Sequence, residues 1–309
     1  MSDQADSLRK LVRKTLQAHP ALQPGVPVVV LSGGQHEAGA STVSLQLAHE
    51  LAQLGKHAVL VDANLSEPKL TSQLAVARGG GSLGDVLSGS RSVIEVLTPI
   101  SDRVSLLPGR WDPSAPPELH RVALQRFLGE VRALHSHADV VIVDVGDGMS
   151  PWVQQMWQAA QQILLVTTTE PAAVTESYAT IKLAPWGDVD GKLRLVVHGV
   201  QDITEADRVG MNFAATCRQF LGIKIGPHAT LTKSIEGDPA GARVGSDDRA
   251  FTQSVRLLAA DLMSNCLVLA TRTSRRGDRS AASLPDTRGK FVSKHKIDSR
   301  FPGGGDDED

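Results

Sequence analysis

The residues of this chain that could do chemistry begin with a glycine-rich run, Ser32-Gly33-Gly34-Gln35-His36-Glu37-Ala38-Gly39-Ala40-Ser41-Thr42. It follows the apolar run Val28 to Leu31 directly and opens onto a helical pattern. A strand, a glycine turn and a helix amino terminus in that order make an anion site, because backbone N–H groups and the helix dipole face phosphate oxygens. Gly34, four residues, Gly39, one residue and Ser41 is the spacing of a P-loop, with Ala40 standing where the lysine belongs. Gly34, Gly39, Ala40, Ser41 and Thr42 are therefore the candidate nucleotide-binding residues. Two further runs, Val59-Leu60-Val61-Asp62-Ala63-Asn64 and Val140-Val141-Ile142-Val143-Asp144, each end in an acid. Beside a phosphate loop such carboxylates hold the water shell of Mg²⁺ or orient an attacking water. This makes Asp62 and Asp144 the candidate catalytic pair, and Ser41 with Asp144 the candidate Mg²⁺ site. A single aspartate at a strand end can simply cap the next turn. Three aligned features in the right chain order carry the nucleotide reading instead.

The elements that must position these groups are legible as alternating patterns. Val28 to Leu31, Ala58 to Val61, Val104 to Leu107, Val140 to Val143, Ile163 to Thr167 and Leu193 to Val197 are apolar on both faces, as buried parallel strands are. Amphipathic segments such as Ser41 to Leu54, ended by Gly55, and Pro117 to Leu134 lie between them. Repeated βα units of this length predict an α/β fold, a doubly wound and mainly parallel sheet.

The 309 residues divide into three parts. Leu8, Leu11, Val12 and Leu16 recur at helical spacing with basic residues between them, so residues 1–20 read as an amphipathic helix, stopped by Pro20, Pro24, Gly25 and Pro27. Residues 21–270 form the α/β domain. From Thr271 to Asp309 the chain is polar and charged, ending Gly303-Gly304-Gly305-Asp306-Asp307-Glu308-Asp309, and the expectation is a disordered tail. There are 32 Lys and Arg against 34 Asp and Glu, and this near balance speaks against a surface built for nucleic acid. No apolar run approaches the roughly 18 to 20 residues that span a bilayer, and the polar amino terminus is unlike a secretory signal, so the expected location is the cytoplasm. Cys217 and Cys266 have no partners at ligand spacing and read as core residues.

These motifs resemble the MinD/ParA group of deviant P-loop ATPases, whose loop GKGGxGK[ST] is followed by a DxD strand end and a later apolar strand ending in Asp. Two stretches narrow the resemblance to the FlhG regulators of flagellar number and placement: Asp3-Gln4-Ala5-Asp6-Ser7-Leu8-Arg9, similar to their DQAxxLR motif, and Val166 to Lys182, similar to their TTPEP…TDAYA.IK segment. The resemblance implies the P-loop NTPase fold of MinD and ATP with Mg²⁺ as cofactor. It further implies contact of the amino-terminal helix with an FlhF-like GTPase, where Gln4 would sit near the partner's nucleotide and Leu8, Arg9, Leu11 and Val12 would anchor it. A homodimer and reversible contact with the inner membrane face or cell pole also belong to the family; DNA binding is not expected here, since only the tail is basic.

The departures matter as much. Ala40 replaces the P-loop lysine, and Gln35 replaces the signature lysine that the resemblance would have reach a phosphate across a dimer. His36 and Glu37 replace two glycines, Asn64 replaces the second acid of DxD, and His198 stands where the family places a base-reading Asn. A charge-assisted hydrogen bond contributes roughly 1.5 to 3 kcal/mol, so the loss of two lysines lowers triphosphate affinity by several powers of ten. Hydrolysis suffers more, because phosphoryl transfer rests on positioned positive charge. The expectation is a degenerate ATPase in which ATP and Mg²⁺ bind weakly or not at all and which acts through protein contact. A working MinD/ParA-type ATP switch is the first alternative. A protein similar to bacterial tyrosine kinases is the second, suggested by Asp62 to Leu70 and weakened by Tyr178 being the only tyrosine.

Overall fold

The computed structural model describes residues 25–35, 37–76, 79–110, 121–184, 191–233 and 249–280, with side chains in the last helix as far as Ser264. The proposed amino-terminal helix, with Gln4, Leu8, Arg9, Leu11 and Val12, lies outside the described residues, as do His36 and residues 281–309.

β1 (Val28–Gly33) leads into α1 (Ala40–Gln53), followed by β2 (Ala58–Asp62), α2 (Lys69–Gln73), α3 (Leu83–Ser88) and α4 (Val93–Val96). β3 (Thr98–Ser101) and β4 (Val104–Leu107) precede α5 (Arg121–Ala133), β5 (Val140–Asp147), α6 (Pro151–Ala159), β6 (Gln162–Thr167) and α7 (Pro171–Leu183). β7 (Leu193–Val200), α8 (Ile203–Thr216), β8 (Ala229–Thr232) and α9 (Arg249–Ser280) follow among the described residues. The strands form one sheet in the order β3-β4-β2-β5-β1-β6-β7-β8, parallel throughout except for the β3–β4 pair. The expected doubly wound, mainly parallel α/β fold is what forms.

The central strands read as apolar on both faces because they are buried on both. Val28 and Val30 of β1 point into one core with Phe127, Trp157, Ile181 and Phe213, beneath α5 to α8. Val29 and Leu31 point into the other, with Leu47, Leu51, Val255 and Leu258, beneath α1 and α9. The two strands with weak sequence signals are the two edges. β3 is half-exposed, alternates only partly buried with exposed residues and carries Pro99, tolerable only where the ladder has a free side. β8 has one buried position, Leu231.

The last helix packs on the sheet. In α9 Phe251, Val255, Leu258, Ala259 and Leu262 are buried while Leu257 faces solvent. Arg256 Nε donates to the buried Glu50 carboxylate of α1 at 2.7 Å, and Arg194 of β7 pairs with Asp261. The helical backbone continues past the change of composition at Ala270 to Ser280, beyond where the polar tail was expected to begin. No helix among the described residues is long and apolar enough to cross a membrane.

Candidate functional site

The strand order places β5 between β1 and β2, so the carboxyl ends of all three converge on the loop between β1 and α1. Leu31 of β1 and Asp62 of β2 are both register partners of Asp144 of β5. Around this point lies a cavity of about 200 Å³, lined by the glycine loop and the start of α1 on one side and by Asn64, Lys69, Gln73, Gly146 and Asp147 on the other.

The loop passes through two left-handed residues before α1 begins. Glu37, at a position where the family has glycine, takes the left-handed backbone at φ 64°, and Gly39 takes it at φ 89°. Left-handed backbone costs an ordinary L-residue roughly 1 to 2 kcal/mol, so the surroundings impose this turn on Glu37. Gly39 is also the N-cap of α1, with no side-chain acceptor over the helix terminus. A side chain at Gly39 would meet His198, and one at Gly34 would meet Ser177 of α7. Gly39 is therefore fixed by close approach as well as by its left-handed turn, and Gly34 by close approach.

Asp144 fits a metal role. It has no exposed surface, its Oδ1 accepts the Gly146 N–H at 3.1 Å, and its Oδ2 is buried with no hydrogen-bond partner. Burial raises its carboxyl above the usual range, against the Ser41 hydroxyl, the Gly146 N–H and the nearby Lys69 charge, which favour ionisation. A buried carboxylate oxygen without a partner, next to a serine at the head of α1, suits a divalent cation and its waters, so Ser41 and Asp144 are the residues that would hold Mg²⁺ arriving with a nucleotide. Asp62 does something more specific than either sequence reading offered. Its Oδ2 accepts from the Thr71 N–H at 2.7 Å and the Thr71 hydroxyl at 2.6 Å, while Gly109 N–H donates to the same hydroxyl at 2.8 Å. Burial pushes its carboxyl up to about 7, opposed by Thr71. Asp62 thus holds the segment after β2 in place, and its Oδ1 remains buried without a partner.

Asn64 also works through the backbone: its Oδ1 accepts the N–H groups of Ser66 and Glu67, each at 3.1 Å. His198 braces the loop, since a carbonyl can only accept and its Nδ1 lies 3.2 Å from the Ala38 oxygen, so Nδ1 carries the proton. Its ring lies 5.7 Å from Phe251 of α9, and burial lowers its pKa. Lys69 is the residue that sequence reasoning passed over. It is the only Lys or Arg lining the cavity among the described residues, whereas Glu37 and Asp147 bring negative charge. The available signal was a lysine seven places after the strand-end acid.

Cys217, Trp152 and Trp157 are core residues, with Trp152 Nε1 donating to the Ala63 carbonyl at 2.8 Å. No cluster of His, Cys, Asp and Glu suited to a metal occurs among the described residues.

No protein-family model matches the chain. It is 30% identical over 161 residues to the antiactivator FleN of Pseudomonas aeruginosa, a match covering 51% of this chain and 56% of FleN. It is 28% identical over 156 residues to the flagellum site-determining protein YlxH of Helicobacter pylori, covering 50% of this chain and 52% of YlxH. The matches thus span about half the length of these curated relatives. Among solved structures, the septum site-determining protein MinD of Pyrococcus horikoshii, complexed with Mg-ADP, superposes with a TM-score of 0.59 at 17% identity, over 75% of this chain and 96% of that one. The chain is similar in sequence to FleN and YlxH over about half its length and has the fold of the MinD and ParA ATPases. Within that fold, the loop of this chain has Ala40 and Gln35 at the two lysine positions of the loop pattern it resembles.

Proposed function

We propose that this chain is a MinD-like regulator of flagellar number or placement, that it hydrolyses ATP weakly or not at all, and that it acts by contact with an FlhF-like GTPase. The observation that carries this reading is the glycine loop at the head of α1, left-handed at Glu37 and Gly39, in which Ala40 and Gln35 leave no lysine. A loop without the charge that phosphoryl transfer needs points to action through protein contact. The similarity to FleN and YlxH supports the flagellar assignment, and Asp3 to Arg9 supports the amino-terminal segment as the contact. In this reading Gln4 orients water at the partner's nucleotide, a role that needs an amide and no charge. Leu8, Leu11 and Val12 anchor the helix, Arg9 orients it, and the protein works at the inner face of the membrane or at a pole.

The test adds the full chain to an FlhF-type GTPase from the same genome and follows phosphate release. The expected outcome is a stimulated rate that Gln4→Ala abolishes while binding persists. Stimulation that is equal for Gln4→Ala, or no stimulation by the full chain, overturns the reading.

A further inference from the structure

We infer that Lys69 supplies, from the segment between β2 and α2, the phosphate-binding charge that the β1–α1 loop has lost, so that the cavity still takes a nucleoside di- or triphosphate with its Mg²⁺. The inference deepens the reading above by giving the regulator a bound ligand, and rests on that reading only for the nucleotide class.

Four observations converge on it. Lys69 lines the same cavity as Gly39, Ala40, Ser41 and Thr42, across from the amino terminus of α1. Its charge is felt at Asp144, the carboxylate suited to the metal. Among the described residues its ion pair is with Glu67 Oε2 at 3.5 Å, and the Glu67 side chain is 60% exposed, so the ammonium is held by a weak surface contact that a phosphate would displace. Finally, the segment that presents it is fixed at both ends. Asn64 ties down Ser66 and Glu67 before it, and the Asp62–Thr71–Gly109 contacts secure α2 after it.

A rigid backbone carrying a lysine with a weakly held head group is the arrangement expected of a preorganised phosphate ligand, because little ordering remains to be done on binding. The Oδ2 of Asp144, buried with no hydrogen-bond partner, is a second, independent observation that suits a divalent cation. Lys69 and Mg²⁺ would then offset Glu37 and Asp147, the anionic side chains of the cavity. Retained binding with poor turnover follows, because a lysine entering from the β2 side neutralises phosphate charge without occupying the position of the loop lysine.

Mg-ADP and Mg-ATPγS are titrated calorimetrically into the full-length protein, with the thermal midpoint followed in parallel. The wild type is expected to bind saturably, and Lys69→Ala to weaken binding about 10-fold or more, the effect of one charge-assisted contact. Lys69→Arg should weaken it less, and adding Ala40→Lys to Lys69→Ala should restore it. Lys69→Gln, which keeps the length of the side chain, guards against a folding defect, with circular dichroism as the check. Equal affinity for wild type, Lys69→Ala and Lys69→Gln overturns the inference. Absence of wild-type binding at millimolar nucleotide also overturns it, and leaves the partner-contact reading standing because that reading is measured by stimulation of another protein's GTPase.

Discussion

His198 is the residue at which the loop, the sheet and the last helix meet. Its Nδ1–H holds the Ala38 carbonyl, its ring faces Phe251, and it leaves no room for a side chain at Gly39. Burial depresses its pKa from 6.5, so the unfolded chain takes up the proton more readily than the folded one. The stabilising contribution is therefore fully present above about pH 6.5 and is lost as pH falls toward the folded value. Asp62 and Asp144 act in the opposite sense, because their raised values favour the folded state at low pH and withdraw that support as pH rises. Comparing urea unfolding of wild type and His198→Gln across pH 5 to 8 isolates the histidine: the stability advantage of wild type should shrink toward pH 5. An advantage independent of pH would mean that the ring does not titrate between folded and unfolded states.

At the scale of elements, the segment between β2 and α2 and the helix α9 carry most of the explanation. The first is held by Asp62 and Asn64, so the relic of the DxD pair serves as an anchor for backbone, and what it anchors presents Lys69 to the cavity. The second covers the face of the sheet that also carries α1. Leu258 is 3% exposed and its neighbour Leu257 is 67% exposed. Leu258→Ala should cost about 2 to 4 kcal/mol in chemical denaturation, since it opens a cavity between helix and sheet. Leu257→Ala should change stability by less than about 0.5 kcal/mol. The reverse order would mean that α9 presents its other face to the protein.

For the molecule as a whole, the charge balance of the site decides how it responds to nucleotide. In the family this chain resembles, a lysine at the position of Gln35 reaches a phosphate in the opposite subunit, and Gln35 has no charge to offer there. Binding through Lys69 within one chain therefore should not draw two chains together. Light scattering of the purified protein is expected to give the same mass with and without Mg-ATPγS. A doubling of mass on adding nucleotide would identify a working dimerisation switch instead.

The sequence alone determined the alternation of strands and helices, because runs buried on both faces and amphipathic helices write their periodicity locally. It also determined the loop, whose glycine spacing reflects a backbone path, and the loss of Ala40's and Gln35's charges, which needs only the residue types. The edge strands β3 and β8 escaped it, since an edge is half-solvated and lacks the continuous apolar signal. What only the tertiary structure decided is which distant side chains share the cavity. Asp62 faces Thr71 and Gly109, His198 meets Ala38, and Lys69 lies across from Ala40 because the sheet sets β5 between β1 and β2. Pairing order is a global choice made by burying both faces of the sheet at once, and no local run of residues records it.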